Sequence, residues 1–271
     1  MTIPELTTQC RVLRKLMIEM TTAACSGHPS SGMSACELVA ALYFGGVLRH
    51  DPANPQWADR DRFILSKGHG CPVLYAALAE AGYFPAEWLN GLRQIDQPLE
   101  GHPNMKRCPG VEASTGSLGQ GLSIGLGHAL AARLDRRDYH VFVMTGDGEI
   151  NQGQVWEAAL AAAHHKVGNL TWIVDHNGRQ QTGEMEDVLD IRPVAEKLRA
   201  FGWDTRELDG HDLPQVLDGL TWSKQGGTSP RGLVAHTVKG KGVSFMEPDF
   251  SWHGKPLTKS EMSQALQELG F

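Results

Sequence analysis

The chain has 271 residues, of which 41% are hydrophobic, and a formal net charge of −6. A chain of this length and apolar content can bury one large core, so a single α/β domain is favoured over two small ones. The acidic balance argues against a nucleic-acid partner, because phosphate backbones recruit proteins with clustered Lys and Arg.

Cysteine usage and hydropathy indicate where the protein works. The five cysteines include no CxxC pair and no zinc-site spacing, and their odd number argues against a disulfide framework. Charged residues interrupt the apolar N-terminal segment, which therefore does not resemble a signal peptide. No stretch approaches the roughly 18 apolar residues of a membrane span. We expect a cytoplasmic protein without a membrane partner.

The first half of the chain predicts helices separated by glycine- and histidine-containing loops. Helical periodicity predicts helices over residues 5–25, 33–44 and 73–82, and a short apolar run predicts a buried strand over residues 63–65. A small-residue loop with His28 lies between the first two helices. The strand leads directly into the sequence Ser-Lys-Gly-His-Gly at residues 66–70.

The second half repeats a strand, a polar loop and a helix. Apolar runs predict strands over residues 140–145, 170–174, 202–208 and 232–238. A small-residue stretch predicts a helix over residues 119–132, and an alanine-rich stretch predicts one over residues 155–165. Continuous apolar strands alternating with helices are typical of a parallel sheet covered on both faces. The predicted fold class is therefore α/β, with a parallel sheet sandwiched by helices and no evident linker.

Polar residues follow two of these strands where each strand ends. Gly146-Asp147-Gly148 comes after one strand, and Asn177 follows the next, with 28 residues between Gly148 and Asn177. Ligands bind at the carboxyl edge of open parallel sheets, so neighbouring strands would bring Asp147 and Asn177 together. A carboxylate, an amide oxygen and a main-chain carbonyl such as that of Arg179 are ligands suited to Mg²⁺ or Ca²⁺. Gly148 lets the backbone approach a phosphate closely.

This spacing resembles the signature of thiamine-diphosphate enzymes, in which GDG is followed at about this distance by Asn. The resemblance implies thiamine diphosphate as cofactor and the diphosphate-binding fold of that family. It also implies a metal, Mg²⁺ or alternatively Ca²⁺ or Mn²⁺, held by Asp147, the Asn177 side chain and the main-chain carbonyl of Arg179.

Further motifs resemble those of transketolases, in the same order along the chain. They are SGHPSS at 26–31, SKGH at 66–69, GHP at 101–103, GSLGQG at 116–121, KGKG at 239–242 and WHGK at 252–255. The resemblance assigns cofactor contacts to Ser31, His69, Gly116, Ser117, Leu118, Gly148, Asn177, Lys239 and His253. It assigns contacts with the donor ketose, and hence catalytic roles, to His28, His102 and His253. Imidazole can donate or accept a proton near neutral pH, as ketol transfer requires.

Other residues have plainer interpretations. We expect Lys67 to be exposed, Trp252 to lie in the core, and His128 to belong to a packed helix without a functional role. Trp156 and Glu157 are expected to pack at a subunit contact.

The resemblance also implies that more chain is needed for activity. Residues 1–271 correspond to a single diphosphate-binding domain, whereas transketolases continue into a pyrimidine-binding domain, whose glutamate activates the cofactor, and a C-terminal domain. We expect both on a separately encoded partner protein, in an α2β2 assembly that acts on sugars or sugar phosphates. Residues 119–132 are a candidate contact with the partner, and the chain alone should show no ketol transfer.

Two features depart from the transketolase pattern. Gln152 stands where a Glu usually joins a carboxylate network across the dimer interface, and Gln cannot share a proton as a carboxylate does. Arg179 stands where an aliphatic residue is common. The departure at Gln152 argues against the usual coupling between the two active sites, and the polar loop around Arg179 suggests a specialised substrate outside pentose phosphate metabolism.

Three alternatives remain open from the sequence. The α subunit of a 2-oxoacid dehydrogenase shares the GDG and Asn motif, but the SGHP, KGHG and WHG motifs are not expected together in it. A 1-deoxyxylulose phosphate synthase would extend far beyond residue 271. A catalytically silent homologue of the cofactor domain could serve as a structural or regulatory partner.

Overall fold

A computed structural model describes residues 1–247 and 249–271, which build a five-stranded sheet between two layers of helices. The strands are β1 (Arg62–Leu65), β2 (Val141–Gly146), β3 (Leu170–His176), β4 (Asp204–Asp209) and β5 (Arg231–His236). Their spatial order is β1-β2-β3-β5-β4, and every neighbouring pair is parallel. The predicted α/β class with a parallel sheet is confirmed.

Helices cover both faces of this sheet. They are α1 (Ile3–Ala23), α2 (Pro29–Ser34), α3 (Cys36–Phe44), α4 (Cys71–Ala81), α5 (Gln120–Leu134), α6 (Gly153–His164), α7 (Met185–Val188), α8 (Val194–Ala200), α9 (Leu213–Ser223) and α10 (Lys259–Glu268). The longer helices of the N-terminal half, with α9 and α10, form one layer, whereas α5, α6 and α8 form the other.

Side chains alternate along the central strands between two apolar cores. Phe142 and Met144 of β2 point into the core beneath α1, α3 and α4, while Val141 and Val143 point into the core beneath α5 and α6. Both faces of the strand are therefore buried, as expected for a parallel sheet sandwiched by helices. This explains why the strands read as unbroken apolar runs in the sequence.

The pairing of β2 with β3 fixes the position of the polar loops. The register places Gly146, the last residue of β2, opposite Asp175 near the end of β3. The residues that follow each strand therefore emerge side by side at the carboxyl edge of the sheet, as predicted.

The region between α1 and α4 differs from prediction. One helix was expected over residues 33–44, but a short helix begins four residues earlier, at Pro29, and ends at Ser34. Ala35 separates it from α3, with a backbone (φ −89°, ψ 3°) outside regular helix geometry. Ser31 therefore lies on a helix and not in a loop, because Pro29 supplies a fixed φ suited to a first helical position.

Lys67 also differs from prediction. Its side chain is 2% exposed and lies beneath the carboxyl edge of the sheet, so the expectation of an exposed lysine was wrong. By contrast, Trp252 is buried in the core as predicted. His128 lies on α5, and this helix packs closely on β2 through Gly125. Within the described part of the chain, no helix is long and apolar enough to cross a bilayer.

Candidate functional site

A cleft of about 430 Å³ lies at the carboxyl edge of β1, β2 and β3. Its lining comprises His28, Ser31, Lys67, His69, His102, Gly116, Leu118, Gly146, Asp147, Gly148, Glu149, Asn177, Arg179, Gln180, Gln181, Lys239 and His253. Every predicted site residue lines it except Ser117, which is exposed between two lining neighbours. Motifs far apart in the sequence thus meet in one place.

A larger depression, of about 650 Å³, lies at the opposite, amino edge of the sheet and is rich in basic residues. Several of those cations already have partners. Arg133 donates to the carbonyl oxygens of His165 and Lys166, and Lys224 pairs with Asp61 at 2.7 Å. We assign the functional site to the smaller cleft, because the predicted site residues converge there.

Asp147 joins the loops that follow β2 and β3. One carboxylate oxygen accepts from the Gly148 N–H at 2.9 Å, and the other accepts from the Gly178 N–H at 2.6 Å. The second oxygen also lies 3.5 Å from Nδ1 of His176. The carboxylate therefore reaches the loop that carries Asn177, and the predicted meeting of these two strand ends is observed.

The Asn177 loop is held in a defined shape. The Asn177 side-chain oxygen accepts from the Arg179 N–H at 3.2 Å, and the Arg179 guanidinium pairs with Glu184 at 2.9 Å and donates to the Glu247 carbonyl. The donors here are a carboxylate, an amide oxygen and backbone carbonyls, which fit a hard divalent cation better than a soft one. Among the described residues no three His, Cys, Asp or Glu side chains group around a metal position.

A buried ion pair lies beneath the cleft. Lys67 Nζ pairs with Asp175 and donates to the Ser31 carbonyl at 2.8 Å. Asp175 also accepts from the hydroxyls of Ser34, at 2.6 Å, and of Thr237. Although burial alone raises the pKa of Asp175, the Lys67 charge and these hydrogen bonds hold it below its usual value. The pair ties α2 to the ends of β1, β3 and β5.

Glu149 ties together a second group of loops. It is 2% exposed, and its carboxylate accepts from Ser66 Oγ, from the Gly119 N–H at 2.8 Å and from the Gly146 N–H at 3.1 Å. Burial raises its pKa, although these bonds oppose the shift. The residue thus fixes the start of α5 relative to β1 and β2.

Asp175 and Glu149 belong to none of the motifs that predicted the site. Both lie within two residues of a predicted ligand, Asn177 or Asp147, at the end of an apolar strand. A carboxylate beside a strand-end motif was thus the available signal.

Three imidazoles cluster at one end of the cleft. The ring centroids of His28, His69 and His253 lie 5.2 to 5.3 Å from one another. Burial, aided by nearby cations, lowers the pKa of His28 to about 4 and that of His253 to about 3, and burial lowers the pKa of His69 well below its usual value. The three rings are therefore neutral at pH 7. Nδ1 of His28 is buried and has no hydrogen-bond partner among the described residues.

Lys239 faces this cluster. Its Nζ lies 2.6 Å from Nδ1 of His253, and burial, followed by repulsion from Lys67, lowers its pKa to about 8. Burial and neighbouring cations thus disfavour the charged forms of Lys239 and of the imidazoles, because like charges repel one another. An anion bound here would remove that repulsion.

The segment around Gly116 closes another side of the cleft. Gly116 has φ +149°, and a Cβ added there would lie 3.0 Å from the His102 ring. Only glycine combines this backbone with so close an approach. Burial, then the charge of Arg93, lowers the pKa of His102, which lies beside this backbone.

The sequence matches the family model described as "Transketolase, thiamine diphosphate binding domain" over residues 7–271. It is 40% identical over 261 residues to the 6-deoxy-6-sulfo-D-fructose transketolase subunit SqwG of a Clostridium species, covering 96% of this chain and 94% of that protein. It is also 40% identical over 258 residues to one of the subunits of apulose-4-phosphate transketolase from Actinobacillus succinogenes, covering 95% and 93% of the two chains.

A solved structure shows the same likeness. The transketolase of Campylobacter jejuni superposes with a TM-score of 0.95 at 32% identity, and the match covers 100% of this chain but 43% of that one. The chain therefore spans less than half the length of that transketolase, whereas it spans nearly all of the two related subunits.

Proposed function

The chain belongs to the transketolase family, with residues 7–271 forming its thiamine diphosphate-binding domain, and we propose that it is the N-terminal subunit of a two-component transketolase. In this proposal it helps transfer a two-carbon ketol unit from a ketose to an aldose. The observation that carries the proposal is the cleft in which the Asp147 and Asn177 loops meet Lys239 and the imidazole cluster.

The polar end of the cleft suits a metal-bound diphosphate. Asp147, the Asn177 side chain and the Arg179 carbonyl would hold Mg²⁺, or Ca²⁺ or Mn²⁺, because they offer hard oxygen ligands. Further contacts with the cofactor are proposed for Ser31, His69, Gly148, Lys239 and His253, with residues 116–118 along its aminopyrimidine end. When bound, thiamine diphosphate supplies a carbon nucleophile that can carry the two-carbon unit.

The imidazoles supply hydrogen bonds and proton transfer at the ketose. His28, His102 and His253 have lowered pKa values, so each is neutral near pH 7 and can accept a proton from a sugar hydroxyl. His28 has a buried nitrogen with no protein partner among the described residues, as expected of a group that binds a ligand. These three residues are therefore proposed to contact the donor ketose.

A second protein is proposed to complete the active site. Two relatives are named as subunits, and this chain matches 93 to 94% of their length. The partner would carry the pyrimidine-binding and C-terminal domains, including the carboxylate that activates the cofactor, in an α2β2 assembly. The surface of α5 and α6 is a candidate contact, because Leu134 and Leu160 are 83% and 57% exposed there.

The substrate is proposed to be a specialised ketose with an acidic group. One relative is named for a sulfonated ketose and the other for a ketose phosphate. Arg179 stands in a polar loop at a position where an aliphatic residue is common in transketolases, which is consistent with such specialisation. We also propose that the protein acts in the cytoplasm, where its five cysteines would stay reduced, as they are in the structure.

Reconstitution tests this function directly. The chain is mixed with the product of a neighbouring gene that encodes the complementary domains, and two-carbon transfer is assayed from 6-deoxy-6-sulfofructose, apulose 4-phosphate and other ketose phosphates. We expect turnover from the mixture and none from either chain alone. Turnover by this chain alone, or cofactor binding without turnover by any mixture, would contradict the two-component proposal.

A further inference from the structure

Lys239 lies on a tight turn, residues 238–241, that is held from three directions. The Gly240 N–H donates to the Ser30 carbonyl at 3.0 Å, the Val238 N–H donates to Nε2 of His211 at 2.8 Å, and the Lys241 carbonyl accepts from Nε of Arg14 at 2.8 Å. The position of the Lys239 amine in the cleft therefore depends on groups outside it.

The hydrogen bonds of His211 define its tautomer. A backbone N–H can only donate, so Nε2 of His211 must accept from Val238 and carry no proton. Nδ1 then carries the proton and donates to Glu37 Oε2 at 2.9 Å. Both ring nitrogens are thus used, one to hold the turn and the other to fix the orientation of the ring.

Arg14 completes a closed set of contacts. Its guanidinium pairs with Glu37 at 2.8 Å, while its Nε holds Lys241. The side chains of Arg14 and Glu37 are 6% and 10% exposed, and that of His211 is 12% exposed. Although burial alone raises the pKa of Glu37, the Arg14 charge and the His211 hydrogen bond lower it to about 2, so it stays charged. The buried cluster of Arg14, Glu37 and His211 thus holds both ends of the turn, at Val238 and at Lys241.

We propose that His211, acting with Glu37 and Arg14, is a positioning residue that fixes the 238–241 turn and so places the Lys239 amine against the bound anion. None of the three side chains lines the cleft, so His211 acts only through the turn. The inference rests on the proposed function in one respect, that Lys239 contacts the diphosphate.

The first test needs no cofactor. NMR of ¹³C-labelled lysine in the full chain follows the titration of the Lys239 amine, whose pKa near 8 reflects its burial. In His211→Ala the turn loosens and the amine gains water, so its pKa should rise toward the usual lysine value. His211→Gln should restore much of the wild-type value, because the Gln oxygen can accept from Val238. An unchanged Lys239 pKa in His211→Ala would overturn the proposal.

The second test is a double-mutant cycle on binding of thiamine diphosphate with Mg²⁺. Loss of the bond to the Val238 N–H should weaken affinity roughly tenfold in His211→Ala. Lys239→Met should weaken it as well, and His211→Ala combined with Lys239→Met should be no weaker than Lys239→Met, within about twofold. Fully additive losses would show that His211 does not act through Lys239, and the proposal would fail.

Asp212→Ala is the matched control. Asp212 neighbours His211 but caps α9 by accepting from the Gln215 N–H at 3.3 Å, and among the described residues its side chain makes no hydrogen bond to the 238–241 turn. The variant should lower stability while leaving both the Lys239 pKa and cofactor affinity unchanged; a change as large as that of His211→Ala would overturn the specific role of His211. If the complex of the wild-type chain with its partner binds no thiamine diphosphate, the proposed function fails, while the NMR test still decides the positioning role.

Discussion

At the scale of single residues, the electrostatics of the cleft favour the binding of an anion that is not part of the protein. Lys239 and the imidazoles of His28, His69 and His253 all have lowered pKa values, because they are buried together. The Asp147 carboxylate accepts hydrogen bonds from N–H groups of the loops that follow β2 and β3. The local electrostatics thus favour a bound diphosphate over an additional protein carboxylate.

Lys239 provides a pH-dependent signature of binding. In the free chain its pKa is about 8, and a bound diphosphate should raise it, so binding at pH 8 takes up roughly half a proton. Below pH 8 the amine is already charged and uptake shrinks. As the pH rises from the free-state pKa to the higher bound-state pKa, affinity falls, and above the bound-state pKa it levels off. Calorimetry in buffers of different ionisation enthalpy measures the uptake. Lys239→Met should abolish this contribution, and equal uptake by that variant would exclude Lys239 as the source.

The ion pair of Lys67 and Asp175 is expected to matter for stability as well as for the site. Asp175→Ala leaves the Lys67 charge buried without its partner, which should lower the free energy of unfolding by about 3 kcal/mol or more. Asp138 is the control, because its pair with Arg49 is exposed and Asp138→Ala should therefore cost much less. Urea unfolding measures both. Similar losses in the two variants would contradict the structural role given to Asp175.

At the scale of elements, the small-residue helix α5 packs on the sheet through glycine. A Cβ at Gly125 would lie 2.3 Å from the Val143 side chain of β2, whereas a Cβ at Gly127, two residues further on, would meet nothing within 4 Å. The helix can therefore approach β2 only because position 125 lacks a side chain.

The two glycines make a matched pair of variants. Gly125→Ala should lower the free energy of unfolding of the isolated chain by about 1–3 kcal/mol through overpacking. Gly127→Ala should raise it by up to about 1 kcal/mol, because alanine favours the helix and fits without contact. Thermal or urea unfolding of the two variants decides, and the prediction fails if Gly125→Ala is as stable as Gly127→Ala.

Elements differed in how far the sequence predicted them. β2 and β3 were predicted to within about two residues, since burial on both faces makes a continuous apolar run. β4 is an edge strand with mostly exposed residues, so its pattern is weaker and its observed start at Asp204 is two residues later than predicted. No Gly or Pro within the helical pattern of residues 33–44 marks the break at Ala35, so helical periodicity alone did not predict it.

The site was predicted best where a motif follows a strand. Asp147 and Asn177 were expected to meet because they follow consecutive strands, and the pairing of β2 with β3 confirms the premise. Lys67 was misjudged because its burial depends on Asp175, which lies 108 residues away in sequence. His211 follows the edge strand β4 by two residues, but its link to Lys239 depends on tertiary contacts that no periodicity reveals.

At the scale of the whole molecule, the chain forms the cleft that is proposed to bind the diphosphate at the carboxyl edge of its parallel sheet, which helices cover on both faces. The two relatives named as subunits have nearly the same length, whereas the Campylobacter jejuni transketolase is more than twice as long. In the proposed function, this chain binds the metal and the diphosphate, whereas the partner carries the group that activates the cofactor.

Titration of thiamine diphosphate into the complex of the partner protein with the wild-type chain or with Asp147→Ala, in the presence of Mg²⁺ and of chelator, tests the central claim most directly. We predict saturable binding by the wild type that depends on Mg²⁺, and a loss of that dependence in Asp147→Ala, because the proposed metal site loses its carboxylate. Circular dichroism should show that the variant stays folded. Equal, metal-independent affinity in the folded wild type and Asp147→Ala would contradict the account.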